Sequence, residues 1–169
     1  MLNATLKHGE NGSAYLELSF SPSLEFVTLV RRLVAAVSEQ VLTDPDLISR
    51  IGLATHELLE NAVKYSTDGE TTIYLEVAGA AEPQTVTVRT RNRGSVEHAS
   101  SLARNIDEIG AAGDPTKFFQ QLMQRAVRSG KPGGLGLGRI AAEAEMTLTC
   151  VRTGDVVEVA ARTLEGPRG

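Results

Sequence analysis

The chain has no tryptophan, three tyrosines and four phenylalanines among its 169 residues. So few rings, with no basic stripe running between them, argue against nucleic acid as a partner. Its single cysteine, Cys150, excludes an internal disulfide. Cys150 alternates with Met146 and Leu148 in a strand-like stretch, which marks a core position and not a reactive thiol. Histidines number three, and the segment His56-Glu57-Leu58-Leu59-Glu60 lacks the second histidine that a zinc-binding helix requires. No apolar run approaches the roughly 20 residues that span a bilayer, and no basic start precedes an apolar stretch as in a secretory signal. No membrane contact is expected, and the expected location is cytoplasmic. Charge of one sign is also scarce: 17 basic against 21 acidic side chains leave a net charge of -4.

What remains has the length of one domain with a real core. Residues 1–164 read as that domain and 165–169 as a frayed tail. Ala4–His8 and Ser13–Phe20 are strand candidates joined by the turn Gly9-Glu10-Asn11-Gly12. Ser21-Pro22-Ser23 opens a helix to about Val41, with Val27, Val30, Val34, Val37 and Val41 at helical spacing. A second helix starts with Asp44 as cap and Pro45 in the first turn, and reaches about Tyr65. Thr71–Ala78 and Thr85–Thr90 are strands, linked by a polar loop around Glu82-Pro83. From Arg91 to Pro132 two helical pieces, about Ser100–Ile109 and Thr116–Arg128, form an excursion with glycines and a proline at its joints. A short helix around Arg139–Ala144 and the strands Met146–Arg152 and Val156–Arg162 close the chain. Paired strands with interspersed helices give an α+β two-layer sandwich in preference to a doubly wound parallel sheet.

Two motifs carry chemistry. In Gly133-Gly134-Leu135-Gly136-Leu137-Gly138, four of six residues lack a Cβ, and a helix follows. Backbone N–H groups of such a loop can converge on a phosphate, with the helix N-terminus adding partial positive charge. The second motif lies on the second helix, where Leu47, Ile51, Ala54, Leu58 and Ala62 form an apolar stripe. Glu57, Asn61 and Lys64 share one flank of it, since steps of four and three return to the same side. An Asn carbonyl suits Mg²⁺, a nearby Glu can take the proton of a hydroxyl attacking a γ-phosphate, and a Lys can sit beside a phosphate oxygen. Taken alone, the same residues also suit a solvated helix edge.

The stretch Glu57-Leu58-Leu59-Glu60-Asn61-Ala62-Val63-Lys64-Tyr65 resembles the N box of the GHKL superfamily, the ATP-binding domain of histidine kinases, DNA gyrase B and MutL. Gly133–Gly138 resembles its second glycine box, and the excursion between Arg91 and Pro132 stands where that superfamily has its ATP lid. Within it the chain is most similar to bacterial anti-sigma and switch serine-protein kinases: one bare ATPase domain, a hairpin followed by two helices, and Glu at position 57. The resemblance implies a mostly antiparallel mixed sheet with helices on one face, and ATP and Mg²⁺ as cofactors. It makes Glu57 the general base, Asn61 the Mg²⁺ ligand and the Gly133–Gly138 backbone the phosphate cradle, with Lys131, at the lid's end, a looser candidate for phosphate contact. The implied partner is a protein, an anti-sigma-factor antagonist or sigma-like regulator. Two chains could pair as a homodimer through the sheet edge or first helix.

The first glycine box departs from the superfamily's Asp-x-Gly-x-Gly, reading Asn92-Arg93-Gly94-Ser95-Val96. Asn92 then offers a carbonyl in place of the carboxylate that meets the adenine, Gly94 keeps one glycine, and Val96 replaces the other. Three functions therefore stand open: a serine-protein kinase, a docking module of the same fold with weak or no nucleotide binding, and a slow ATPase cycling through lid closure.

Overall fold

A computed structural model describes residues 2–9, 13–21, 23–79 and 84–164. The centre of the first turn, the loop at Glu82-Pro83 and the tail 165–169 lie outside the described residues. Eleven elements form, in the order β1 (Asn3–His8), β2 (Ala14–Phe20), α1 (Leu24–Val41), α2 (Pro45–Tyr65), β3 (Thr71–Ala78), β4 (Thr85–Arg93), α3 (Val96–Ala111), α4 (Pro115–Ser129), α5 (Leu135–Glu143), β5 (Met146–Thr153) and β6 (Val156–Thr163). The strands make one sheet in the order β1-β2-β3-β4-β6-β5, with every pairing antiparallel.

Period-two alternation builds the two layers. Leu16, Leu18, Ile73, Leu75, Val86, Val88, Val157 and Val159 turn inward and are buried. They meet Val27, Val30 and Val34 of α1 and Ile51, Ala54, Leu58 and Ala62 of α2, the stripes read from helical spacing. The other face of the sheet is polar. There Arg89 lies over the Tyr74 ring and beside Glu158, and Tyr15 donates to Glu17 at 2.8 Å. The α+β two-layer sandwich expected from element order is the architecture observed.

Local chemistry sets the helix ends. Asp44 Oδ1 accepts from the N–H groups of Asp46 and Leu47 at 2.9 and 3.3 Å, and Pro45 fills a first-turn position where no N–H partner is needed. Ser95 caps α3 and Asp114 caps α4 in the same way. Cys150 is half-buried and packs against the core, and burial pushes its thiol pKa up.

Two boundaries differ from expectation, both near the site. The excursion leaves the sheet after Arg93, because Arg91, Asn92 and Arg93 continue the ladder with Glu158, Val157 and Val156. Its first helix, α3, is not a free flap: Ala99, Leu102, Ile106 and Ile109 are buried against the core. Helix α4, by contrast, has no buried residue. The last helix, α5, starts at Leu135, a turn before the expected position and inside the glycine run.

Candidate functional site

The N-box side chains stand on α2 as the spacing requires, on the edge that looks toward α3 and the start of α5. Glu57, Asn61 and Lys64 line one cleft of about 640 Å³ with Ser101 and Asn105 of α3 and with Gly133, Gly134 and Gly136. That volume is in the usual range for small-molecule sites, roughly 300–1,000 Å³. A second groove, about 740 Å³, opens beyond α5 among Arg31, Arg32, Arg50 and His56. No residue of either motif lines it, so the candidate site is the first cleft.

The glycine run is mostly helix. Gly134, at φ 80°, is the N-cap of α5 and accepts the first intrahelical bond from Gly138 N–H at 3.0 Å. No side chain caps this end, which leaves first-turn N–H groups without a side-chain acceptor at the cleft. The stretch expected as a phosphate cradle is thus a helix N-terminus and not the open loop that its glycines suggest. The two later glycines serve close packing. A Cβ on Gly136 would stand 2.6 Å from Glu57 Oε2, and one on Gly138 would stand 2.8 Å from Leu122 Cδ1 and 3.2 Å from Phe119 Cδ2.

Glu57 has a partner that the sequence does not reveal. Its side chain is 12% exposed, and Arg139 Nη1 donates to its Oε1 at 3.0 Å. Arg139 Nε donates to Glu143 Oε2 at 2.9 Å. The hydrogen bond to Glu143, with that to Glu57 adding, raises the guanidinium pKa above its ordinary value.

At the other end of the cleft Tyr65 and His98 stack, with ring centroids 3.6 Å apart and planes 16° from parallel. Lys64 Nζ lies 5.2 Å from the Tyr65 ring centroid. Burial, then the Lys64 charge, lower the His98 pKa, so the ring favours its neutral form.

Four sequence candidates stay outside this cleft. Asn92 sits at the end of β4 opposite Thr71 and donates through Nδ2 to Arg93 O at 3.0 Å. Gly94 is buried, and a Cβ there would meet Val157 at 3.2 Å and His98 at 3.8 Å. Gly138 packs under α4, and Lys131 is exposed near the start of the α4–α5 connection without lining the cleft. Arg139, His98, Ser101 and Asn105 are the residues sequence reasoning missed. His98 and Asn105 carried no motif, and Arg139 read only as helix.

The donor set suits a nucleotide with a hard cation. Asn61 offers a carbonyl oxygen, Lys64 a cation, and α5 an uncapped N-terminus, all on one cleft. Among the described residues no group of three or more His, Cys, Asp or Glu could hold a metal. Mg²⁺ needs no such cage, since it keeps waters and phosphate oxygens as most of its ligands. Among the described residues no helix is long and apolar enough to cross a membrane.

Comparison with known proteins agrees with this geometry. No curated protein matches the sequence significantly. A chain in the crystal structure of the SiaB–SiaC complex from Pseudomonas aeruginosa superposes with a TM-score of 0.62 at 14% identity, over 87% of this chain and 88% of that one. At that identity the likeness speaks for the fold. Residues 20–159 match the model of the histidine kinase-like ATPase domain, and the chain belongs to that family.

Proposed function

We propose that the protein is an ATP- and Mg²⁺-dependent serine-protein kinase of the anti-sigma or switch type. The observation that carries this reading is the meeting of Glu57 and Asn61, one turn apart on α2, with the uncapped first turn of α5 across one cleft. Asn61 would ligate Mg²⁺ through Oδ1, and Lys64 and the first-turn N–H groups of α5 would hold phosphate oxygens. Bound Mg²⁺ would supply charge neutralisation of the phosphate chain. Glu57 accepts the proton of the partner's serine hydroxyl as its oxygen bonds the γ-phosphorus and the bond to the β,γ-bridging oxygen breaks, leaving ADP and phosphoserine. The partner would be a small anti-sigma-factor-antagonist-like protein met in the cytoplasm. The fold likeness to a chain found in a two-protein complex supports a protein partner.

The position of Asn92 outside the cleft favours a second reading, a docking module with weak nucleotide affinity. Thermal unfolding with millimolar Mg·ATP, Mg·ADP and Mg·GTP separates the two. Saturation to about 100 times Kd stabilises by roughly 2.7 kcal/mol, and each kcal/mol moves Tm by about 2–4 °C for a domain of this size. The kinase reading expects a rise with adenine nucleotides that Asn61→Ala abolishes, then phosphoserine on the partner that Glu57→Ala abolishes. No shift with any nucleotide leaves the docking module.

A further inference from the structure

Helix α5 deals with both oxygens of the Glu57 carboxylate, by different means. Arg139 Nη1 donates to Oε1 at 3.0 Å, while Gly136, one turn earlier, makes the space occupied by Oε2. The opposite edge of the guanidinium is held by Glu143 through Nε at 2.9 Å. A planar fork gripped on two edges has little rotational freedom, and neither does a carboxylate that shares one oxygen with it. Oε2 receives no hydrogen bond from the described side chains that surround it, so it is the oxygen left to accept a proton. The contrast in exposure matters too: Arg139 is 45% exposed and Glu57 only 12%, so the arginine approaches from the solvent side and closes over the carboxylate.

We infer that Arg139 is a positioning residue for Glu57. It fixes the carboxylate with Oε1 occupied and Oε2 turned to the attacking hydroxyl, and it touches neither substrate nor nucleotide. The inference rests on the reading of Glu57 as general base. The competing account is that Arg139 only pairs with Glu143 along the exposed face of α5, a contact worth little by itself.

The test uses the full chain and Mg·ATP, with water as the acceptor. Its readouts are single-turnover hydrolysis, the Kd of Mg·ATP by thermal shift, and the arginine side-chain ¹⁵N resonances of the nucleotide-free protein. Arg139→Ala is expected to slow hydrolysis roughly 10- to 100-fold, the cost of a misplaced catalytic group, with Kd within about threefold of wild type. Arg139→Lys, which keeps one charged donor, recovers part of that rate. The double variant Glu57→Gln/Arg139→Ala is no slower than Glu57→Gln, because Arg139 acts only through Glu57. Glu57→Gln also shifts the Arg139 ¹⁵N resonances.

Additive losses in the double variant overturn the inference, as does a Kd that weakens in step with the rate. Arg139 ¹⁵N resonances that stay unmoved in Glu57→Gln likewise overturn it. Failure of the underlying reading looks different: hydrolysis is absent in the wild type, or survives in Glu57→Gln.

Discussion

Gly136 and Glu57 share one space: a Cβ on the first would stand 2.6 Å from Oε2 of the second, closer than real Cβ contacts come. The atom in the way is the far end of a flexible side chain, so Gly136→Ala displaces the carboxylate and leaves the helix intact. Alanine within a helix gains about 0.5–1 kcal/mol over glycine, which offsets the strain of that shift. The variant should fold with Tm close to wild type yet lose roughly tenfold or more in turnover. Calorimetry and single-turnover hydrolysis measure the two sides. Full activity with a normal Tm would show that the place of Glu57 is unimportant.

That glycine also shows what was legible in the sequence and what was not. The order of strands and helices, the Asp44 cap with Pro45, and the α1 and α2 stripes follow from periodicity and short-range chemistry, and they form as read. The run from Gly133 to Gly138 reads as a loop because glycine disfavours helix. Yet Leu137 and Ile140 are buried and Leu135 is half-buried, and their packing outweighs the propensity cost. Packing against Glu57 and against α4 is long-range, and no local pattern encodes it. The same holds for Arg139, whose partner Glu57 lies 82 positions away. Asn92 was placed from the family's pattern. The sheet decides where it goes: the ladder holds it between Thr71 and Val157, outside the cleft.

Stability should depend on pH through His98. Its pKa is lowered in the folded state, so between that value and about 6.5 the unfolded chain binds a proton that the folded chain refuses. The stack is therefore fully stable above pH 6.5 and weakens as pH falls through that window. His98→Phe keeps a ring on Tyr65 but cannot titrate. Urea unfolding between pH 8 and 5 should show a smaller acid loss for the variant than for wild type. Parallel curves would mean that His98 titrates normally.

Helix α4 should detach without the domain unfolding. It has no buried residue and rests on α5, where Gly138 admits Leu122 and Phe119. Gly138→Leu overfills that contact, at a cost of about 1–3 kcal/mol. Limited proteolysis between 112 and 133 should then run roughly tenfold faster or more, with cleavage elsewhere unchanged. Uniform acceleration along the chain would indicate global destabilisation instead.

The junction after α5 offers a cleaner measure of backbone strain. Glu145 has φ 52°, a left-handed conformation unusual outside glycine, and pairs with Arg50 at 2.7 Å. Glu145→Ala loses the pair and keeps the strain, so it should cost about 1 kcal/mol. Glu145→Gly loses the pair but relieves the strain, and should fall within about 0.5 kcal/mol of wild type. Chemical denaturation of both variants decides the matter. Equal losses would place the whole effect in the ion pair.

One bond noted by neither motif sets how the site can move. β4 and β6 are neighbours in the sheet, and Gly94 N–H, just past β4, donates at 2.9 Å to the carbonyl of Asp155, just before β6. Everything from Gly94 to Asp155, namely α3, α4 and α5 with the edge strand β5, therefore lies between two ends tied together at the rim of the sheet. Because the bond closes the segment where it leaves β4 and enters β6, a shift of α3 or α5 can reshape the wall of the cleft while β4 and β6 stay paired.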